Sequence, residues 1–319
     1  MNTGINNNAK NNNMSAPPVH IIIVNWNNAP DTIACLESLE KLTFSDAVPV
    51  VVDNGSTDGS AAEISGRFPG TRMLKLPENM GFAGGVNAAA EAAIKEGVKY
   101  IFLLNNDATV RPDTVANLVS CAEKTDRAGI VGAKVLRADD ASRIESEGVS
   151  VCLCTGRIKQ TGFGAKDRNE TAPAVGRDAV HGAAMLVRTE TLEDTGLLDE
   201  DYFCYFEEID LCLRAREVGW RVIYCPSAAV LHKGAATFGG AWSARRIYYA
   251  ARNQLLLVGR HSGTLLLPIR LWWVRMLSRL MLLKAPAEKR KRLKHWLRQA
   301  WRDYENAKFG RADYEFNEE

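Results

Sequence analysis

The run Tyr100-Ile101-Phe102-Leu103-Leu104-Asn105-Asn106-Asp107 carries the reading of the fold. Its first five residues are too apolar for a half-exposed strand, so they belong inside a sheet covered on both faces. Outward from it, short β-branched runs alternate with helix-length amphipathic stretches from His20 to Leu136, the rhythm of a mostly parallel sheet flanked by helices. Strands are expected at Val19–Val24, Val48–Val52, Arg72–Leu76, Tyr100–Leu104 and Ile130–Leu136, and helices near Pro30–Leu42, Ser60–Phe68, Ala83–Lys95 and Pro112–Lys124. Pro30 and Pro112 fall where a first helical turn tolerates proline. Beyond Leu136 the rhythm changes. Strand-like Gly148–Leu153 and Gly182–Val187, then a helix from Glu208 to Val218, suggest an antiparallel-containing second half that completes the same α/β domain.

A chain of 319 residues can bury the core of one large domain with an appendage. Residues 1–18 are dominated by Asn, with too little apolar surface to offset chain entropy and no apolar run for a signal peptide, so they are expected to be a disordered tail. Seven scattered cysteines point to reduced thiols in a cytoplasmic setting, and the spacing of Cys152 and Cys154 is not that of a zinc pair. The formal net charge of +2 hides an asymmetry, because residues 268–311 carry thirteen Lys and Arg against three acids. The apolar tract Leu265–Leu283 is interrupted by Arg270, Arg275 and Arg279 before the roughly 20 apolar residues a membrane span requires. With Trp272, Trp273, Met276, Leu277, Leu280 and Leu283 at helical spacing and a basic run at Lys289–Lys294, residues 263–319 read as a basic amphipathic helical tail lying on a membrane surface. A helix packed on the main domain with a solvated basic face is the alternative. No base-stacking sheet motif accompanies the basic charge, so nucleic acid is not an expected partner.

In parallel sheets ligands bind beyond the carboxyl ends of the strands. Three such ends carry amide or carboxylate clusters: Asn25-Trp26-Asn27, Asp53-Asn54-Gly55-Ser56 and Asn105-Asn106-Asp107. Asp53 is placed to accept hydrogen bonds from a base or ribose, although Asp-Asn-Gly-Ser is also good turn chemistry. Asp107 follows a buried strand and precedes Ala108 and Val110. An isolated buried carboxylate is costly, and a divalent cation bridging to a diphosphate is one solution. Asn79-Met80-Gly81-Phe82-Ala83-Gly84-Gly85-Val86-Asn87 opens a helix whose first amides could approach a phosphate, or simply turn tightly. In Glu207-Glu208-Ile209-Asp210-Leu211-Cys212-Leu213-Arg214, Asp210 and Arg214 form an i,i+4 pair, while adjacent Glu207 and Glu208 repel, which raises at least one pKa and suits a general base. His232 ends an apolar run at a turn and is either a ligand or structural.

The order of these six motifs, from Val19 to His261, resembles the family 2 glycosyltransferases and their rhamnosyltransferase-like branch. The resemblance implies a GT-A type fold over 19–262 with a nucleotide-binding front half and an acceptor-binding back half. It implies donor binding by Asn25, Asn27, Asp53, Gly55, Ser56, Asn79, Gly81, Gly84, Asn87, Asn105 and Asn106, a divalent metal (Mn or Mg) at Asp107 and His232, and Asp210, His181 and Gly182 as acceptor-side or supporting positions. Glu208 stands where the family's base stands, with Glu207 as the alternative. Two positions depart from the family pattern: Asn105 replaces the first acid of the metal motif, and Glu208 is one methylene longer than the usual Asp. The implied activity is inverting transfer from a nucleoside diphosphate sugar, dTDP-rhamnose first, to a hydroxyl of a lipid-linked or glycan acceptor at the inner face of the membrane. A silent nucleotide-sugar-binding module and a nucleotidyltransferase are the rival readings.

Overall fold

The computed structural model describes residues 18–168, 172–234 and 242–316. Apart from Pro18, the tail expected to be disordered lies outside them.

The front half alternates as the sequence implies: β1 (Val19–Asn25), α1 (Ala29–Leu39), β2 (Ala47–Asp53), α2 (Ser60–Arg67), β3 (Arg72–Lys75), α3 (Gly81–Lys95) and β4 (Tyr100–Leu104). All five residues of β4 are buried. This follows from its place, since β4 runs parallel to β1 on one side and antiparallel to β11 (Ala184–Arg188) on the other. The short β5 (Ala108–Val110) leads into α4 (Thr114–Lys124). Asn28 caps α1 by accepting from Asp31 N, with Pro30 in the first turn. The helix expected from Pro112 starts instead at Thr114, because the Pro112 carbonyl is turned outward to accept from Thr43 N at 2.9 Å. The expected run of α1 to Leu42 stops at Leu39, where Glu40 caps it.

The second half adds β6 (Ala128–Arg137), β7 (Ile144–Ser146), β8 (Val149–Cys152), β9 (Arg157–Gln160), β10 (Val175–Gly176), α5 (Thr189–Thr195), α6 (Glu207–Glu217) and the long β12 (Arg221–His232). The main sheet runs β10-β12-β6-β11-β4-β1-β2-β3, with β5 paired to β12 and β7 to β6. The strand expected at 148–153 does not join it; β8 pairs with β9 in a separate ribbon. Gly182 falls in the turn before β11. Because β12 is parallel to β6, and β6 antiparallel to β11, the strands β1, β2, β4, β6 and β12 all point their carboxyl ends to one edge of the sheet. Apolar side chains fill both faces, one layer around Ile21, Phe102 and Leu118, the other around Leu103, Met185 and Leu211.

A third cluster joins α7 (Ala244–His261) to α9 (Arg290–Glu305) through Tyr248, Leu255, Leu293, Trp296 and Leu297. Between them α8 (Leu267–Met281) buries only Val274 and Ser278. It leaves Ile269, Trp272, Trp273 and Leu280 exposed, and Leu265 just ahead of it is 91% exposed.

Burial sets the mutational expectation. Phe102→Ala should cost about 3–5 kcal/mol of stability in denaturant unfolding, whereas Leu265→Ser should stay within about 0.5 kcal/mol. Equal effects would contradict this packing.

Candidate active site

The parallel strands deliver their polar ends to one edge and hydrogen bonds tie those ends together. Asn25, fully buried, donates through Nδ2 to Asp53 Oδ1 (3.3 Å), Ser56 Oγ (3.2 Å) and Ser60 Oγ (3.1 Å). Its Oδ1 accepts from Thr32 Oγ1 at 2.8 Å, and Thr32 Oγ1 in turn accepts from Asn106 Nδ2 at 3.1 Å. One polar chain therefore spans the ends of β2, β1 and β4. Asn27, at φ 51°, accepts from Thr57 N and donates its own N–H to Ser56 Oγ, closing the loop around Ser56. Gly55 has φ 71°, and a Cβ there would lie 2.6 Å from the Glu78 backbone, so only glycine fits the turn beside Asp53.

After β4 the chain turns sharply, Ala108 N donating to Asn105 O. The turn aims Asp107 at the end of β12. Asp107 Oδ1 lies 3.2 Å from His232 Nε2, and Asn105 Nδ2 lies 3.3 Å from the same nitrogen. The other ring nitrogen, Nδ1, is 2.9 Å from Glu145 Oε2 on β7. Burial disfavours the charged imidazole, but the hydrogen bonds to Asp107 and Glu145 outweigh it and hold the His232 pKa up at about 9. Burial likewise pushes the Asp107 carboxyl up, and His232 more than reverses this, leaving it below the usual range. His181 stands edge-on to His232, ring centroids 5.5 Å apart. Its Nδ1 accepts from Ala183 N, and burial and the neighbouring His232 lower its pKa to about 4, so it is neutral near pH 7.

This donor set suits a hard divalent cation in part. Glu145, His181 and His232 present ligand atoms all within 4.8 Å of one another, while Asp107 faces His232 from the opposite side. A ligating histidine ordinarily gives its second nitrogen to a carboxylate, and Glu145 at Nδ1 does that, freeing Nε2 toward Asp107 and the Asn105 amide.

The acid pair opens α6. Glu207 is buried, and its Oε2 is among the described buried oxygens without a hydrogen-bond partner. Burial first, then the adjacent Glu208, drives its pKa well above the carboxylate range. Glu208 is half-buried, and burial pushes it up to about 7. Gly182 adjoins it: a Cβ there would sit 3.2 Å from Glu208 Cγ. Asp210 faces away, accepting from Arg214 Nε (2.7 Å) and Tyr202 Oη (3.2 Å) and lying 2.8 Å from His261 Nε2. Its carboxylate thus ties the first turn of α6 to Tyr202 and to α7.

The glycine-rich start of α3 is differently used from the sequence expectation of open amides facing a phosphate. Phe82 N and Ala83 N donate to Phe203 O (2.7 and 3.4 Å), and Gly81, at φ 75°, lacks the Cβ that would lie 2.3 Å from that oxygen. Asn79 Oδ1 accepts from Gly81 N, and Gly84 packs on Met80. Asn87 spends its amide on Leu198 and Glu200. These residues hold the acid-bearing loop against the front half. Sequence reading passed over Glu145, whose partner is 87 positions away, and Arg246 on α7, whose guanidinium lies 5.9 Å from the Tyr205 ring centroid. An acid in an alternating strand and an arginine in a helix carry no local mark of a site.

Comparison with known proteins bears on the fold and the family. The chain is 28% identical over 273 residues to an N-acetylglucosaminyl-diphospho-decaprenol L-rhamnosyltransferase of Mycobacterium tuberculosis, covering 80% of this chain and 88% of that one. It is 24% identical to the dTDP-rhamnosyl transferase RfbF of Shigella flexneri, over 79% and 83% of the two chains. Among solved structures, the mannosyltransferase PcManGT from Pyrobaculum calidifontis, in complex with GDP-Man and Mn2+, superposes with a TM-score of 0.56 at 18% identity, covering 92% of this chain and 84% of that one. TarS 1-349 of S. aureus with UDP-GlcNAc gives 0.57 at 17% identity, over 91% and 81%. These likenesses establish the GT-A type α/β fold. The family model described as glycosyltransferase like family 2 matches residues 17–250, and the chain belongs to that family.

Proposed function

We propose that this glycosyltransferase moves a sugar, rhamnose first, from a nucleoside diphosphate onto a hydroxyl of a lipid-linked or polysaccharide acceptor, inverting the anomeric centre. The observation that carries the reading is that Gly182, packed against Glu208, follows His181, which stands edge-on to His232, so the acid pair and the Asp107–His232 couple meet at one end of the sheet. Asp53 and the Asn25 network receive the nucleoside. Asp107 and His232, with Asn105 beside them, would hold a divalent ion, Mn or Mg, which would supply charge neutralisation for the leaving diphosphate. Asn105, whose amide Nδ2 is turned toward His232 Nε2, carries no charge, so Asp107 would carry the anionic share of the grip.

Glu208 takes the acceptor proton as the acceptor oxygen bonds to the anomeric carbon, and the bond to the diphosphate oxygen breaks with its electron pair leaving on that oxygen. Glu208 is favoured over Glu207 because it is the more exposed and titrates near neutrality, whereas Glu207 stays protonated. The C-terminal helices support a reaction at the inner face of a membrane. No described helix is long and apolar enough to cross one, but the exposed Leu265, Ile269, Trp272, Trp273, Leu280 and Leu283 lie beside Lys284, Lys291 and Lys294, a combination matched to an anionic lipid surface.

Four outcomes test this. Asp107→Asn should lower manganese-dependent release of dTDP from dTDP-rhamnose by about a hundredfold or more while the protein still folds, at a lower melting temperature because the buried pair with His232 is lost; near-normal turnover would remove Asp107 from the centre. Because Glu208 must be ionised, the rate should rise with pH through about 7. Glu208→Gln should abolish transfer while leaving dTDP binding intact, and loss in Glu207→Gln alone would reassign the base. Sedimentation with phosphatidylglycerol vesicles should fall in Trp272→Ser/Trp273→Ser and in high salt; equal binding by that variant would refute the membrane face.

A further inference from the structure

The four residues before the acid pair hold an unusual backbone. Phe203, Tyr205 and Phe206 have φ of 63°, 69° and 77°, a left-handed region that side-chain-bearing residues avoid. Left alone this segment would relax, and the first turn of α6 would move with it, since Phe206 is its N-cap and accepts from Asp210 N at 2.8 Å. It is held from two sides. On one, the start of α3 grips Phe203 O, as described above. On the other, the side chain of Asn253 in the middle of α7 reaches three of its carbonyls: Nδ2 donates to Tyr202 O at 2.8 Å, Cys204 O at 2.7 Å and Tyr205 O at 3.0 Å.

The amide has a single workable orientation. Flipped, its oxygen would face three carbonyl oxygens; as it stands, Oδ1 accepts from Arg252 Nε at 3.0 Å. Arg252 then donates to Asp201 O, Tyr202 O and Gly310 O at 2.8–3.2 Å, with its guanidinium centre 5.0 Å from the Tyr249 ring centroid. Arg252 and Asn253 are both fully buried. A buried guanidinium satisfied by carbonyls and an aromatic face is expensive to assemble. What it secures is the path of the chain at Asp201 and Tyr202 and, from the C-terminal side, at Gly310.

We propose that Asn253, aligned by Arg252, is a positioning residue for transfer: it locks the left-handed 203–206 segment so that Glu208 meets the acceptor hydroxyl in line. The inference rests on Glu208 acting as the base. The lock acts on the acid loop and not on the ends of β1, β2 and β4, so it governs turnover and not donor affinity.

The test uses the full chain, dTDP-rhamnose as donor, dTDP with Mn2+ as binding probe, and hydrogen exchange across residues 203–210. In Asn253→Ala, kcat should fall at least about tenfold with the dTDP Kd within about twofold and exchange of the 203–210 amides raised. Arg252→Lys keeps the charge but loses Nε, and should shift kcat and exchange the same way by a smaller factor, which serves if Asn253→Ala does not fold. Asn253→Gln, restoring an amide, should recover part of the loss. Turnover within twofold of the parent in folded Asn253→Ala, or a loss matched by weakened dTDP binding, would overturn the proposal. Raised exchange in Asn253→Ala together with a parent chain inactive on every nucleotide sugar would instead overturn the transferase reading.

Discussion

A carboxylate at the end of a fully buried strand must find positive charge, and Asp107 finds it in His232. That requirement organises the molecule. To bring His232 within 3.2 Å, β12 has to run beside β6 with its end at the same edge as β4. The register is fixed by β5, which pairs Ala108 with His232, Thr109 with Leu231 and Val110 with Val230. The residue after Asp107 is therefore laddered to the histidine it faces, and Lys233 N closes the contact by donating to Asp107 O. Glu145 completes the arrangement from β7, itself paired to β6. Two carboxylates around one imidazole leave the cluster with an acid in excess, which is the electrostatic condition for taking up a cation.

The acid pair of α6 shows the opposite use of burial. Here desolvation prevails over any offsetting charge among the described residues, and both carboxyls are held toward the protonated form. The difference in exposure between them divides their roles: the buried one remains neutral, while the half-buried one titrates in the range useful for proton transfer. Asp210, two residues further, is pulled the other way by His261 and Arg214, which outweigh its burial. Three acids within four positions thus occupy three electrostatic states, set by what each faces.

Much of this was legible in the sequence. Apolar runs bounded by Asn and Asp clusters announced β1, β2 and β4, because strands buried on both faces leave no choice of composition. The Asp210–Arg214 pair was visible from helical spacing alone. Where partners are distant in the chain, the sequence was silent. Glu145 has no local pattern, since its role exists only once β7 lies against β6. Asn253 looks like any polar residue in an amphipathic helix, and its buried amide becomes visible only when the left-handed loop is seen beneath it. The glycines of α3 were noticed, but for the wrong neighbour: the chemistry that lets backbone approach a phosphate also lets it approach Phe203 O. Pro112 marked a helix start two residues early because its carbonyl is committed to Thr43.

The order of strands in the sheet also has a consequence for how the chain is made. β4, wholly apolar, is covered on its second edge by β11, which is synthesised roughly eighty residues later. Without β11, β3-β2-β1-β4 makes a parallel half-sheet whose open edge is the wholly apolar β4, the kind of edge that invites pairing with another chain. Closing that edge takes a long-range antiparallel pairing. Protection of the front half thus depends on a five-residue strand, Ala184–Arg188, from the second half.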